Sequence, residues 1–111
     1  MSLTARLAPL PLVAILRGIR PEEAASIGLA LVEAGFLCLE VPLNSPEPFA
    51  SIRALKDAVG DRAIVGAGTV LDVADVERVR DAGGEIVISP NCDPSVISAT
   101  AVASLYTFHL P

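Results

Sequence analysis

Four short segments of this sequence contain residue types that bind anions or move protons. Each follows a short run of apolar residues, and the segments are Arg17-Gly18, residues 40–44, residues 66–69 and residues 89–91. Apolar runs of this kind predict strands, and ligands of parallel sheets bind beyond the carboxyl ends of the strands. We therefore expect the four segments to share one edge of the sheet.

Glu40 is the strongest candidate for acid–base chemistry. Its neighbours Leu39 and Val41 are apolar, so strand alternation places Glu40 on the opposite face together with Cys38. If that face is buried, desolvation raises the pKa of the carboxyl group towards the range useful for proton transfer. The alternative is a carboxylate that is solvated or salt-bridged at the strand end, and the pattern leaves both interpretations open.

Arg17 and residues 66–69 offer positive charge and backbone donors. Arg17 is either a surface charge or a bidentate clamp for a carboxylate or phosphate group. The segment Gly66-Ala67-Gly68-Thr69 lacks the third glycine of a dinucleotide-binding fingerprint and the Gly-Lys-Ser/Thr ending of a P-loop. Its glycines either let the backbone approach a ligand, with the Thr69 hydroxyl as a further donor, or form a simple tight turn.

The elements that position these residues alternate between strand and helix. Strands are predicted at residues 13–16, 37–41, 63–65 and 86–88, about 24 residues apart. Helix starts are predicted at Pro21, at residues 45–47, at Asp72 and at Asp93-Pro94, and helix ends at Gly35, Gly60 and Gly83. The alternation predicts a parallel sheet with crossover helices.

An internal repeat indicates which parallel fold this is. The stretch from Ala34-Gly35 to Pro42 recurs from Ala82-Gly83 to Pro90, an offset of about 48 residues or two strand–helix units. Such regularity favours a (β/α)8 TIM barrel over a doubly wound sheet. A complete barrel needs about 200 residues or more, and the chain has 111. We therefore predict an α/β half-barrel of about the first four β/α units.

Composition argues against several other classes of protein. Eight Lys and Arg against thirteen Asp and Glu, a net charge of -5, do not suit nucleic-acid binding. No apolar run approaches the roughly 18 residues of a membrane span, and in residues 7–16 two prolines favour a buried strand over a signal-peptide core. Cys38 and Cys92 lack metal or redox spacing, and the single histidine is His109. We expect no metal, small buried or half-buried cysteines and a cytoplasmic location.

Four motifs together resemble the 2-dehydro-3-deoxy-6-phosphogalactonate aldolases, the sister branch of the 2-dehydro-3-deoxy-6-phosphogluconate aldolases. The motifs are AILRGI at residues 14–19, EVPLNSP at 40–46, VGAGTVL at 65–71 and ISPN at 88–91. The resemblance runs from about residue 9 to about residue 97, with the motifs in the family's order. Asn44 favours the galactonate branch, because the gluconate enzymes usually have an arginine at that position.

The resemblance implies a class I aldolase, which needs no cofactor. Such an enzyme reversibly splits the phosphorylated 2-keto-3-deoxy sugar acid into pyruvate and D-glyceraldehyde 3-phosphate. A lysine forms a Schiff base with the substrate ketone, which acts as an electron sink while the carbon–carbon bond breaks. Glu40 corresponds to the family's general acid–base, and the family further implies a homo-oligomer, a trimer.

The resemblance also implies a set of substrate-binding residues. Arg17, Thr69 and the Gly68 backbone correspond to groups that hold the anionic end of the substrate. Pro90 corresponds to a rim residue that shapes the pyruvate pocket. Asn44 and Asn91 complete the set expected at this rim.

The Schiff-base lysine is where this chain departs from the family pattern. The family carries it on the sixth strand, in a Lys-hydrophobic-Phe-Pro motif expected well beyond residue 111. The single lysine here, Lys56, lies in the second predicted helix, on the outer ring, and does not substitute for it. Residues 98–111 are expected to be a divergent tail, which is either the start of a fifth strand or sequence that no longer follows the family pattern. Residues 1–111 are thus expected to form the N-terminal half of one aldolase domain, inactive by itself.

Two other functions remain open at this point. One is a non-catalytic α/β module that binds a carboxylate through Arg17, Thr69 and Asn91, and the other is a half-barrel that self-associates to complete a barrel by symmetry. The missing Schiff-base lysine favours both of these alternatives over an enzyme that is active by itself. The run of motifs along the rim favours the enzyme, because packing alone does not require Glu40 or Arg17 there.

Overall fold

The fold is an open sheet of five parallel strands. The computed structural model describes residues 2–89 and 93–109. The strands are β1 (Ala14–Ile15), β2 (Cys38–Pro42), β3 (Ile64–Gly68), β4 (Ile86–Ser89) and β5 (Tyr106–His109), adjacent in chain order and all parallel. A doubly wound sheet reverses its strand order at a switch point. The unreversed order therefore confirms the predicted barrel-type winding and adds a fifth strand to it.

A helix connects each strand to the next, and one further helix precedes the first strand. The helices are α1 (Leu3–Leu7), α2 (Pro21–Glu33), α3 (Pro48–Val59), α4 (Val73–Asp81) and α5 (Pro94–Val102), with a short 3-10 turn at Gly60–Arg62. Residues 98–111, expected to be a tail, supply the end of α5 and all of β5 within their described part. None of the described helices is long and apolar enough to cross a membrane.

The hydrophobic core lies between the sheet and helices α2–α5. Alternate residues of β2 to β4 face the helices, and Leu39, Val41, Val65, Ala67 and Val87 are buried there. The helices contribute the side chains predicted at three- and four-residue spacing, among them Ala24, Ile52, Leu55, Val76 and Val79. Val73, predicted to pack with them, is exposed because it opens α4 at the edge of this layer.

The opposite, concave face of the sheet carries helix α1 at its amino end. Helix α1 packs Leu3 and Leu7 against a second apolar cluster of Cys38, Ile64 and Ile86. This helix was not predicted, although the Ser2 hydroxyl accepts a hydrogen bond from the Ala5 amide at 3.2 Å, a typical N-cap.

The expectation of a buried first strand in residues 7–16 is wrong. Only Ala14–Ile15 pairs with β2, and the Ile15 side chain is 60% exposed. The reason is that β1 is an edge strand of the described sheet, so its concave side has one neighbouring strand instead of two. Pro9 and Pro11, which have no backbone N–H, further limit the pairing of this segment.

The start of α3 also differs from the prediction. The helix begins at Pro48 instead of within residues 45–47. The Ser45 amide donates to the Pro42 carbonyl at 3.0 Å, so residues 42–45 form a turn that delays the helix. The residue before the helix, Glu47, has a left-handed backbone with φ 41°.

Candidate active site

Glu40 lies on the concave face of β2, as alternation predicts. In the ladder it stands between Ile15 of β1 and Gly66 of β3. Its side chain is only 5% exposed. It borders an open cavity of about 560 Å³, a size suited to a small metabolite. Glu40 is the single ionisable side chain among the described residues lining that cavity, the others being Leu3, Thr4, Leu7, Ala8, Pro11, Val13, Ile15, Ile86 and Ile88.

The electrostatic setting of Glu40 suits proton transfer. Burial raises the pKa of its carboxyl group, and the positive charge of Arg17 partly opposes that rise. Its Oε2 atom is buried and makes no hydrogen bond within the described part of the chain. An unpaired buried carboxyl oxygen is costly, on the order of 1–3 kcal/mol. The solvated or salt-bridged alternative for Glu40 is therefore not what the structure shows.

The two glycines of β3 make room inside the sheet. A Cβ atom on Gly68 would overlap the Glu40 carboxyl group, and one on Gly66 would overlap the carbonyl oxygen of Ile86. The segment 66–69 is therefore the end of a strand, where close approach requires glycine, and not simply a tight turn. The group that comes close to Gly68 is the Glu40 side chain and not a ligand. The sequence pattern does not indicate this contact.

The remaining described rim residues are exposed at the carboxyl edge of the sheet, and none of them lines this cavity. Arg17, Asn44 and Thr69 all lie in segments that directly follow β1, β2 and β3. Thr69 has a left-handed backbone with φ 57°, an unusual and strained conformation for a β-branched residue. The Gly18 amide donates to the Ser45 hydroxyl at 3.1 Å, which ties the ends of β1 and β2 together. Nothing in the sequence pattern singled out Ser45 for this role.

Part of the predicted rim lies outside the described residues. Pro90 and Asn91, assigned to the pyruvate pocket and to substrate binding, belong to that part, as does Cys92. The segment leads out of β4, whose last residue, Ser89, is buried at the same edge of the sheet.

Lys56 lies away from the cavity, on α3. Its ammonium group is 3.2 Å from Oε1 of Glu85, 3.2 Å from the Gly60 carbonyl oxygen and 3.5 Å from Oδ1 of Asp61. The Lys56 ammonium group is therefore held in an ion-pair network and is not simply solvated. Its place on the outer side of the sheet agrees with the prediction that it is not the Schiff-base lysine.

Neither a thiol nucleophile nor a metal cluster is found among the described residues. Cys38 is a free and fully buried cysteine, as predicted. Burial, together with the negative charge of Glu40, raises the pKa of its thiol to about 11, so it is protonated at neutral pH. Within residues 2–89 and 93–109, no three His, Cys, Asp or Glu side chains are placed to hold a metal ion.

Comparison with known proteins identifies the family. The family model described as "KDPG and KHG aldolase" matches residues 3–109. The chain belongs to this aldolase family. It is 48% identical over 97 residues to a probable 2-dehydro-3-deoxy-6-phosphogalactonate aldolase of Rhizobium meliloti, covering 87% of this chain and 46% of that protein. It is also 48% identical over 88 residues to the 2-dehydro-3-deoxy-6-phosphogalactonate aldolase of Escherichia coli K12, covering 79% and 43%.

Solved aldolase structures share the fold. A structure titled as native KDPGal is 44% identical, with a TM-score of 0.84 over 90% of this chain and 48% of that one. A KDPG aldolase from Legionella pneumophila, with pyruvate captured as a covalent carbinolamine, is 25% identical with a TM-score of 0.84, covering 96% and 52%. The chain spans about half the length of the aldolases it matches.

Proposed function

We propose that this chain carries the acid–base part of a class I aldolase site for 2-dehydro-3-deoxy-6-phosphogalactonate. The products are pyruvate and D-glyceraldehyde 3-phosphate, and the reaction is reversible. The observation that carries the proposal is Glu40. Among the described residues it is the one ionisable group lining an apolar cavity, its pKa is raised, and its buried Oε2 atom has no hydrogen-bond partner there. The 48% identity to two galactonate-type relatives supports this substrate class.

Glu40 serves as the proton carrier in this proposal. In its acid form it protonates the carbinolamine hydroxyl, which leaves as water while the lysine iminium forms. As the carbon–carbon bond breaks, the Glu40 carboxylate left by the first step takes the proton of the hydroxyl group that becomes the aldehyde, and the electron pair of the broken bond moves into an enamine. Glu40 then delivers this proton to the terminal carbon of the enamine to form the pyruvate methyl group. A carboxyl group whose pKa is raised towards neutrality is suited to both directions of transfer.

The Schiff base requires a lysine other than Lys56. The Lys56 ammonium is committed to Glu85, Asp61 and the Gly60 carbonyl on the helix side of the sheet, whereas Glu40 faces the concave side. We therefore propose that the reactive lysine lies outside these 111 residues.

The rim residues hold the substrate in this proposal. Arg17 supplies the positive charge for an anionic group, and within the described residues its guanidinium makes no salt bridge that would compete. The Thr69 hydroxyl and the Gly68 backbone supply donors beside it, and Asn44 favours the galactonate substrate. Pro90 and Asn91 complete the pyruvate side.

We further propose a cytoplasmic homo-trimer that binds neither nucleic acid nor membranes. The free, buried Cys38 thiol suits a reducing compartment. The net charge of -5 disfavours nucleic-acid and anionic lipid partners. The trimer rests on the family resemblance.

A hybrid aldolase tests the proposed function. In it, this chain replaces the matched segment of the E. coli relative, which supplies the remainder of the barrel. We expect the folded hybrid to release pyruvate from the galactonate substrate faster than from its gluconate epimer, and Lys56→Arg to leave this activity unchanged. A folded hybrid that releases no pyruvate would contradict the proposal.

The 111-residue chain by itself supplies the complementary test. Incubated with pyruvate and borohydride, it is expected to gain no mass, because its single lysine does not reach the cavity. A stable pyruvate adduct on Lys56 would overturn the assignment of the lysine.

A further inference from the structure

The position of the Glu40 carboxyl group is set by shape and not by hydrogen bonds. Its Oε2 atom has no hydrogen-bond partner among the described residues, so no donor of the protein fixes its direction. What surrounds it is the surface of β3, where the carboxyl group occupies the space that a side chain on Gly68 would fill. The orientation of the Glu40 carboxyl group therefore depends on residue 68 having no side chain.

The register explains why Gly68 and no other residue provides this space. Glu40 stands opposite Gly66, and Gly68 stands opposite Pro42, so Glu40 and Gly68 are diagonal neighbours on the concave face. Diagonal partners in a sheet lie within reach of long side chains. The Glu40 side chain therefore leans along the strand towards the carboxyl edge of the sheet.

We propose that Gly68 is a positioning residue for the aldolase reaction: because it has no side chain, it lets the Glu40 carboxyl group lie against β3 at the depth from which it reaches the cavity. This inference rests on the proposed acid–base role of Glu40. It assigns to Gly68 a steric role in addition to the backbone contact with substrate.

A methyl group at residue 68 would push the carboxyl group away from β3 and towards solvent. Of the charged groups in the described structure, Arg17 acts on Glu40 from the end of β1, and the Cys38 thiol lies on the same face of the same strand. Burial is the largest influence on Glu40, so displacement towards solvent lowers the pKa of the carboxyl group towards its ordinary value. The acidic limb of the pH–kcat profile should then move to lower pH.

A double-mutant cycle in the hybrid aldolase tests this inference. Gly68→Ala should lower kcat at least about tenfold, less than the roughly 10²–10⁴-fold expected when an acid–base group is lost entirely, with KM changed less than about threefold. Glu40→Asp withdraws the carboxyl group by one methylene and leaves room for the methyl. In that background, Gly68→Ala should lower kcat less than about threefold, because the overlap no longer exists.

Gly28→Ala is the matched control. Its Cβ would also be crowded, 2.6 Å from Cδ2 of Leu55, but it lies on α2 and away from Glu40. We expect it to lower the melting temperature without moving kcat or the pH profile. If Gly68→Ala alone gives no folded protein, recovery of folded protein on adding Glu40→Asp supports the inference and failure to recover overturns it.

The outcomes separate this inference from the proposed function. An equal loss of kcat in both backgrounds, or an unchanged kcat and pH profile in Gly68→Ala, would overturn the positioning role while Glu40 could still be the proton carrier. Full activity of Glu40→Gln would instead remove the proposed function. The steric relation would then still be tested by the melting temperatures of the same cycle.

Discussion

Burial and the charge of Arg17 act in opposite directions on the Glu40 carboxyl group. Desolvation raises its pKa, and Arg17 limits the rise. This balance is suited to a group that both gives and takes a proton near neutral pH. Alternation along one strand is a local property, so the face on which Glu40 lies was predictable from sequence. The relation to Gly68 was not, because it depends on the register between two strands.

Arg17→Gln should weaken substrate binding and change the pH dependence of the hybrid aldolase. Losing one charge-assisted contact to an anionic substrate should raise KM about tenfold. Without the positive charge, the pKa of Glu40 rises further, so the acidic limb of the kcat profile moves to higher pH. Arg20→Gln is the control, since Arg20 is an exposed residue of the same loop that is paired with Glu22. Equal effects of the two substitutions would contradict a specific role for Arg17.

At the scale of elements, the helix ends show which features were predictable from local sequence. The predicted stops at Gly35 and Gly83 are confirmed, with φ of 104° and 97° and paired hydrogen bonds back into the last turn. Helix α5 ends in the same way at Ser104, with φ 62°, which residue type alone does not indicate. Helix α1 was missed because it is held by packing against residues distant in sequence. The delayed start of α3 was missed because residues 42–45 form a local turn that their residue types do not indicate.

The amino ends of the strands are joined to the helices by a network centred on Glu85. Its carboxylate accepts hydrogen bonds from Arg6 of α1 at 2.8 Å and from Lys56 of α3 at 3.2 Å. Burial by itself would raise the pKa of Glu85, but these hydrogen bonds and charges outweigh it and lower the pKa. The network therefore stabilises the fold while Glu85 is ionised.

Glu85→Gln should destabilise the chain by about 1 kcal/mol at pH 7, because a partly buried ionic network is lost. The stability from a lowered carboxyl pKa is present above the unfolded value of about 4.3 and is lost as the pH falls through the folded value. The difference between wild type and variant should thus shrink below about pH 4. Urea titrations at several pH values measure it, and a difference independent of pH would contradict the account. Glu77→Gln, on the exposed side of α4, is the control.

At the scale of the whole molecule, the concave face determines how the chain behaves alone. Strands β1 and β5 each have a neighbour on one side only within the described sheet, and Ile15 presents an apolar side chain at the β1 edge. Exposed edges and apolar patches of this kind favour association. The four β/α units were predictable from strands spaced about 24 residues apart, whereas the short pairing of β1 was not, because edge position follows from the assembled sheet.

The isolated chain is therefore expected to associate. Static light scattering of the 111-residue protein at increasing concentration should give a mass above that of the monomer. Ile15→Gln should reduce association, while Val102→Gln should not, because Val102 is 86% exposed on α5, a helix on the other face of the sheet. A monomer at all concentrations, or equal effects of both variants, would contradict association through the concave face.

Proton transfer by Glu40 is tested most directly by hydrogen–deuterium exchange into the methyl group of pyruvate. The exchange needs the lysine iminium and a base that removes a methyl proton, but no carbon–carbon cleavage. In deuterated buffer, Glu40→Gln in the hybrid aldolase should lower the exchange rate about 10²–10⁴-fold, the usual contribution of a general base. Pyruvate should still be trapped on the lysine by borohydride, and the melting temperature should not fall. Exchange at the unsubstituted rate in the folded Glu40→Gln protein would contradict the account.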